Sequence, residues 1–222
     1  VTYMRLHAPV ARQRIGADLD DVHGHLHSQA RCIRNGEVQS CEALAGWLQE
    51  VMQQSFAADL ECYANLIVRT GLNITPGQQL VISAPVDALP LVRLVTEQAY
   101  KAGATLVTTL YTDDEAVLAR FRHASGESFD VAADWLFSGM AEAFRGGAAR
   151  LAIVGEDPAL LGGQDADKVS RANKARSKAA KPAMDLITSA AINWCVVSCA
   201  TPGWAKSVFP ALDGPQAVDR LW

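Results

Sequence analysis

Three histidines near the N-terminus are the side chains in this sequence that most resemble a set of metal ligands. His23, His25 and His27 alternate with other residues, and in a β-strand this spacing places all three imidazoles on one face. Imidazole suits zinc or copper, and Asp20 and Asp21 are close by. The alternative is a polar segment without an ion, which we favour because no thiol or carboxylate is visibly placed to complete the site.

Two acidic runs offer oxygen ligands. Asp113, Asp114 and Glu115 suit a hard cation, but consecutive helical positions diverge by about 100°, so three neighbours do not converge readily. We interpret this run as the acidic start of a helix, which the helix dipole favours. Glu156 and Asp157 follow a predicted strand, where α/β proteins usually place ligands. They are therefore candidates to face a cleft, but the interpretation we favour is a plain connection from strand to turn.

Familiar catalytic motifs are missing from the sequence. It contains no GxGxxG, no GxxxxGK[ST], no HExxH and no GxSxG. His123 is the only histidine after residue 51, and its position at a predicted helix end is typical of a solvated surface residue. Residues 52–222 therefore offer little from which to build a histidine-rich dinuclear metal site. Counting leaves a Ser-His-Asp triad open, although nothing in the sequence points to one.

A basic run stands in the last third of the chain. Six cations lie within 14 residues with no acid among them: Lys168, Arg171, Lys174, Arg176, Lys178 and Lys181. The run predicts a solvated helix face, or one that pairs with acids elsewhere in the fold. The alternative is a surface for an acidic partner, a nucleic-acid phosphate or a peptide carboxylate.

Strands alternate with helices from residue 53 onward. The predicted strands are 80–82, 106–111, 151–154 and 192–198. The predicted helices run from 53 to a stop at Gly71, from a cap at Asp87 to Gly103, from Asp113 onward, near 130–145, from about Asp165 to Ala190, and, broken by prolines, over 201–222. This alternation predicts an α/β layered domain with a largely parallel sheet flanked by helices.

Composition narrows the class of protein. Half of the 222 residues are apolar and the formal net charge is −4, which fits a globular protein and argues against a nucleic-acid binder driven by positive charge. No apolar run approaches the roughly 18 residues of a membrane helix. Five widely spaced cysteines predict small buried hydrophobes rather than disulfides, and no signal peptide is visible, so we expect a cytoplasmic protein.

Residues 1–51 differ in composition from the rest. All six lysines lie after residue 51, and four of the five histidines lie before it. Met52 stands directly before a strongly patterned helix, whereas the chain begins with Val1. We therefore expect 1–51 to be an atypical N-terminal extension, translated from an upstream start, and 52–222 to be the domain. A genuine regulatory arm is the alternative.

The extension is expected to add little stability. Deleting residues 1–51, so that the chain starts at Met52, should change the free energy of unfolding by less than about 1 kcal/mol, the scale of changes outside a core. Denaturant melts of both chains measure the difference. A much larger loss would show that the segment packs as a structural arm.

Ten short stretches, in order and closely spaced, resemble a known family of peptidases. They are 63–69 (YANLIVR), 71–73 (GLN), 76–78 (PGQ), 84–86 (APV), 90–93 (PLVR), 99–104 (AYKAGA), 155–158 (GEDP), 174–176 (KAR), 193–195 (NWC) and 201–206 (TPGWAK). Over about three quarters of its length the chain resembles the thermophilic-type dinuclear metallo-aminopeptidases, the aminopeptidase T, aminopeptidase S and PepS group. Residues 1–51 have no counterpart in this resemblance.

The resemblance implies an exopeptidase that removes N-terminal amino acids from peptides with two divalent metal ions, zinc, cobalt or magnesium. It also implies a homodimer when full length, with no nucleic-acid or membrane partner. In the family the Glu, His and Asp ligands lie in the C-terminal half, which this chain does not reach, so no catalytic or metal-binding residue is assigned here. We expect an N-terminal domain or fragment that walls the substrate cavity and is inactive by itself.

A stand-alone α/β binding or interaction module without catalysis is the alternative. The basic run would then be its contact surface. Longer DNA reads separate the two hypotheses: a continuing frame with a Glu- and His-bearing second half favours the peptidase, and a natural stop after Trp222 favours the module.

Overall fold

A computed structural model of the protein describes residues 32–34, 37–39 and 56–222, and the chain divides into two units, Val1–Cys62 and Tyr63–Trp222. In the first unit, strand β1 (Cys32–Arg34) pairs antiparallel with strand β2 (Glu37–Gln39). His23, His25 and His27 lie outside the described residues. Their role and the predicted boundary between residues 51 and 52 therefore stay predictions.

A four-stranded parallel sheet forms the centre of the second unit. Its strands are β3 (Gln79–Pro85), β4 (Leu106–Thr112), β5 (Ala149–Val154) and β6 (Trp194–Ser198). The order across the sheet is β4-β3-β5-β6, and every neighbouring pair is parallel. The predicted largely parallel sheet is confirmed, and so are all four predicted strands. Because all strands point the same way, their carboxyl ends share one edge.

Helices connect the strands. They are α1 (56–66), α2 (Leu89–Lys101), α3 (Asp114–His123), α4 (Asp134–Arg145), α5 (Ala166–Thr188), α6 (Pro202–Val208) and α7 (Gly214–Leu221). None of the described helices is long and apolar enough to cross a lipid bilayer. The predicted break by prolines after residue 201 is confirmed, since Pro202 and Pro215 each stand in the first turn of a short helix, where proline costs no hydrogen bond.

Both faces of β3 are covered. Val81 packs into a cluster with Ala141 and Phe144 of α4 and with Ala183 and Ile187 of α5. Leu80 and Ile82, which point the other way because strand side chains alternate, are fully buried as well. This explains why the strand is a continuous apolar run rather than an alternating one.

Two predicted helix boundaries are wrong. Gly71 was expected to end α1, but the chain continues as a π-helix over Ile67–Leu72 and turns at Asn73, whose φ is 50°. A Cβ on Gly71 would lie 3.0 Å from the Cys195 sulfur, so this glycine permits close packing instead of stopping the helix. Asp87 was expected to cap α2, but the cap residue is Ala88, without a side-chain hydrogen bond.

The described cysteines follow the prediction only in part. Cys199 is buried and Cys195 half-buried, whereas Cys62 is exposed, so the expected burial is wrong for Cys62. All three are free thiols. Burial raises the pKa of the Cys199 thiol to about 11 and that of Cys195 in the same direction, which keeps both protonated and unreactive at neutral pH.

Candidate functional site at the carboxyl ends of the strands

Acidic residues follow three of the four strands at their shared carboxyl edge. Asp87 comes after β3, Asp114 after β4, and Glu156 and Asp157 after β5. The Asp157 backbone N–H lies 3.5 Å from a carboxylate oxygen of Asp114, which brings the β4 and β5 ends together. The structure thus gathers side chains that are up to 70 positions apart in the sequence.

The prediction that Asp113, Asp114 and Glu115 form the acidic start of a helix is confirmed, since Asp113 is the cap residue of α3 and the other two stand in its first turn. Asp113 caps α3, because its carboxylate accepts a hydrogen bond from the Ala116 backbone N–H at 2.8 Å. Asp114 is half-buried and faces Asp157. The sequence rule that singled out Glu156, a position just beyond a parallel strand, would also have found Asp114 and Asp87.

A small cleft opens beside β5. Its walls are Val154, Gly155, Glu156, Pro158 and Trp204, and its volume is about 180 Å³. The sequence made both Glu156 and Asp157 candidates to face a cleft; Glu156 is one of its walls, and Asp157 is not. Trp204 was missed, since it comes from α6, 46 or more positions after the other wall residues.

The first turn of α6 is locked against the loop after β5. Thr201 caps α6 by accepting a hydrogen bond from the Trp204 backbone N–H at 3.3 Å, and its hydroxyl donates to the Gly155 carbonyl. The Ser207 hydroxyl donates to a carboxylate oxygen of Asp157 at 2.7 Å. These bonds tie the first turn of α6 to the loop after β5, so Trp204 is held beside Gly155.

Glycine makes this close approach possible. A Cβ added at Gly203 would lie 3.0 Å from the Cβ of Asp157, and one added at Gly155 would collide with the Cys199 carbonyl and lie 2.9 Å from the Thr201 methyl group. Both glycines belong to the short stretches noted in the sequence, GEDP and TPGWAK.

The electrostatics of the acidic edge are set mainly by burial. Burial raises the pKa of Asp114, and the negative charges of Glu156, Asp157 and Asp87 raise it further, against a lowering by the Asp157 N–H hydrogen bond. Within the described part of the chain, none of these four carboxylates forms a salt bridge. The edge therefore carries uncompensated negative charge.

Replacing Asp114 by asparagine is expected to stabilise the fold at neutral pH. A carboxyl group whose pKa is raised in the folded state costs stability above that pKa, and the cost vanishes once both states are protonated. Asp114→Asn should therefore raise the denaturant midpoint at pH 7, with a gain that disappears by about pH 3.

The matched control for this prediction is the neighbouring Asp113→Asn, which keeps a capping oxygen and should give no gain. Urea melts of both variants at the two pH values measure the effect. A lower midpoint of Asp114→Asn at pH 7 would contradict the assignment.

The edge does not provide a metal site. Across the described residues, no group of three or more His, Cys, Asp or Glu side chains is arranged to hold a metal ion. His123, at the end of α3, is exposed. The residues described here thus do not fit the metal ions that the family resemblance implies.

Two cations of the basic run, Arg171 and Lys181, form salt bridges with acidic residues. The sequence predicted either such pairing with acids elsewhere in the fold or a solvated helix face. Arg171 forms salt bridges with Asp130 and Asp167. The hydrogen bond between Arg171 and Asp130 raises the pKa of the arginine and lowers the pKa of the aspartate. Lys181 pairs with Asp185 at 2.9 Å. Pairing with an acid elsewhere in the fold is therefore confirmed for Arg171 through Asp130, whereas Lys181 pairs within its own helix.

The comparisons with known proteins agree on one family. A family model described as thermophilic metalloprotease (M29) matches residues 56–222. The chain is 48% identical over 168 residues to Aminopeptidase T of Thermus thermophilus. The aligned region covers 76% of this chain and 41% of that protein. It is 36% identical to Aminopeptidase AmpS of Bacillus subtilis over the same shares of each chain.

A solved structure supports the same grouping. Wild-type AmpT from Thermus thermophilus superposes with a TM-score of 0.73 and 48% identity, covering 75% of this chain and 42% of that one. The chain thus spans about two fifths of the length of the relatives it matches. Since the family model covers most of the sequence and the fold agrees, the chain belongs to the thermophilic metalloprotease (M29) family.

Proposed function

We propose that this chain is the N-terminal part of a metal-dependent aminopeptidase that hydrolyses N-terminal amino acids from peptides. The observation that carries the proposal is the match of residues 56–222 to the family together with its extent, 41% of Aminopeptidase T. The relatives are named aminopeptidases over their whole length, so the activity requires the remaining part of the protein.

The proposed contribution of this part is structural and substrate-binding. Its carboxyl edge, with the cleft beside β5, walls the substrate cavity, and its buried sheet supports the catalytic half. We place the metal ligands outside the described residues, because these do not form a site. The complete enzyme is proposed to use two divalent ions, zinc, cobalt or magnesium, to act as a homodimer in the cytoplasm and to bind neither nucleic acid nor membranes.

A binding module without catalysis is the second candidate, and one observation favours it. Lys174 and Lys178, one helical turn apart on α5, are exposed, and neither forms a salt bridge with any residue that the structure describes. Two open cations on one helix suit an acidic partner. The peptidase remains the better-supported function, since the family match covers α5 together with the whole sheet.

A chimera tests the proposed function. Residues 56–222 of this chain replace the matched region of Aminopeptidase T from Thermus thermophilus, and hydrolysis of leucine p-nitroanilide is measured with added zinc, cobalt or magnesium. We expect chelator-sensitive turnover, because 48% identity and the shared fold preserve the contacts to the remaining part.

The parent Aminopeptidase T is the positive control for the chimera. A chimera that shows a cooperative melt like the parent's yet no turnover would overturn the proposal. Binding of this chain to an acidic peptide column, lost in Lys174→Ala/Lys178→Ala, would then support the binding module.

A further inference from the structure

The cleft beside β5 has a shape and charge that suit one kind of side chain. We propose that the cleft formed by Val154, Pro158, Glu156 and Trp204 binds the cationic side chain of a lysine or arginine residue in a peptide. This inference deepens the proposed function and rests on it, since it names the class of peptide that the domain would select.

The size of the cleft limits its occupant. Pockets for drug-sized ligands measure roughly 300–1,000 Å³, whereas this cleft holds about 180 Å³. It therefore admits a single side chain rather than a folded ligand or a cofactor. The cleft lies at the carboxyl end of β5 and is open to solvent, so a side chain can enter it from outside.

The walls match the two chemical parts of a lysine or arginine side chain. Val154, Pro158 and Trp204 provide apolar surface for the methylene stem, which both residues bury readily. Glu156 provides a carboxylate for the charged end, and an indole face such as that of Trp204 also attracts cations. A neutral aliphatic side chain forms no charge pair with Glu156, so it fits less well.

The charge around the cleft is already in place before a ligand arrives. An oxygen of Glu156 accepts a hydrogen bond from the Gly155 backbone N–H at 3.1 Å, which holds the carboxylate at the cleft. Asp114 and Asp157 lie beside it, and no salt bridge of the described residues neutralises any of the three. A cation entering the cleft thus meets fixed negative charge in a site lined by apolar walls.

Nuclear magnetic resonance titration of the whole chain tests the proposal. The probes are Nα-acetyl-lysinamide, which has only the side-chain amine, Nα-acetyl-norleucinamide, which has the stem without charge, and leucinamide, which has only the α-amine. We expect Nα-acetyl-lysinamide to shift the indole N–H resonance of Trp204 and leave that of the exposed Trp135 unchanged.

Glu156→Gln is the matching variant, because it keeps an acceptor for the Gly155 N–H and removes only the charge. It should weaken Nα-acetyl-lysinamide binding by about tenfold, the scale of a lost hydrogen bond to a charged group. The control Glu142→Gln, on the exposed face of α4, should leave the affinity unchanged. Thermal melts confirm that both variants are folded.

Three results would overturn the proposal: no shift at Trp204 with Nα-acetyl-lysinamide, equal binding of Nα-acetyl-norleucinamide, or stronger binding of leucinamide, which would assign the cleft to an α-amine. The titration involves no turnover, so its outcome is independent of the chimera. An active chimera together with a negative titration rejects only the cleft assignment, and an inactive folded chimera with a positive titration rejects only the peptidase.

Discussion

The purified 222-residue chain is expected to hydrolyse leucine p-nitroanilide no faster than buffer, with or without added zinc, cobalt or magnesium. A dinuclear peptidase needs several His, Asp or Glu ligands around its ions, and the described residues bring no such group together. The chain also spans only 41% of Aminopeptidase T. Loss of the metal removes both hydroxide formation and carbonyl polarisation, so the expected effect is complete loss rather than a reduced rate.

A chelator control and the parent Aminopeptidase T, assayed side by side, make this measurement decisive. Turnover above background that the chelator abolishes would contradict the prediction. His23, His25 and His27 would then be the first positions to replace by alanine, because they are the clustered ligands outside the described residues.

The substitution Gly155→Ala is expected to destabilise the fold by about 3 kcal/mol or more, the upper range for an overfilled core. The new Cβ would collide with the Cys199 carbonyl oxygen and lie 2.9 Å from the Thr201 methyl group. Neither neighbour gives way easily, since one is backbone and the other is tied to Gly155 by a hydrogen bond. The carboxyl ends of β5 and β6 must therefore separate, which also opens the cleft.

Gly139→Ala provides the matched control for Gly155→Ala. Gly139 lies on the exposed face of α4, and a Cβ there meets no atom within 4 Å. Alanine should stabilise this helix by roughly 0.5–1 kcal/mol. Denaturant melts measure both variants, and a Gly155→Ala protein as stable as the unmodified chain would show that the two strand ends are less tightly packed than described.

Local patterns were sufficient for most of the fold. The apolar, β-branched runs around Leu80, Leu106, Leu151 and Val196 are confirmed as strands, since β-branched side chains favour the pleated strand conformation. Asp113 was predicted at the start of a helix from its chemistry alone and is confirmed as the cap of α3. Failures occurred where a residue serves packing rather than its own segment: Gly71 admits the Cys195 sulfur and does not end the helix.

The alternation of strands and helices, the parallel sheet and, through short motifs, the family could all be inferred from the amino-acid sequence. Which side chains meet at the carboxyl edge depends on how the elements pack in three dimensions. Periodicity describes neighbours along one element, whereas Trp204 reaches Glu156 only because α6 is locked to the β5 loop by Thr201 and Ser207. Gly155 and Gly203 have no side chain from which this contact could be predicted. They are required because a Cβ at either position would lie too close to atoms of the neighbouring segment. The cleft could not be predicted from local patterns, because its walls come from segments that are distant in the chain and meet only through strand order and close packing.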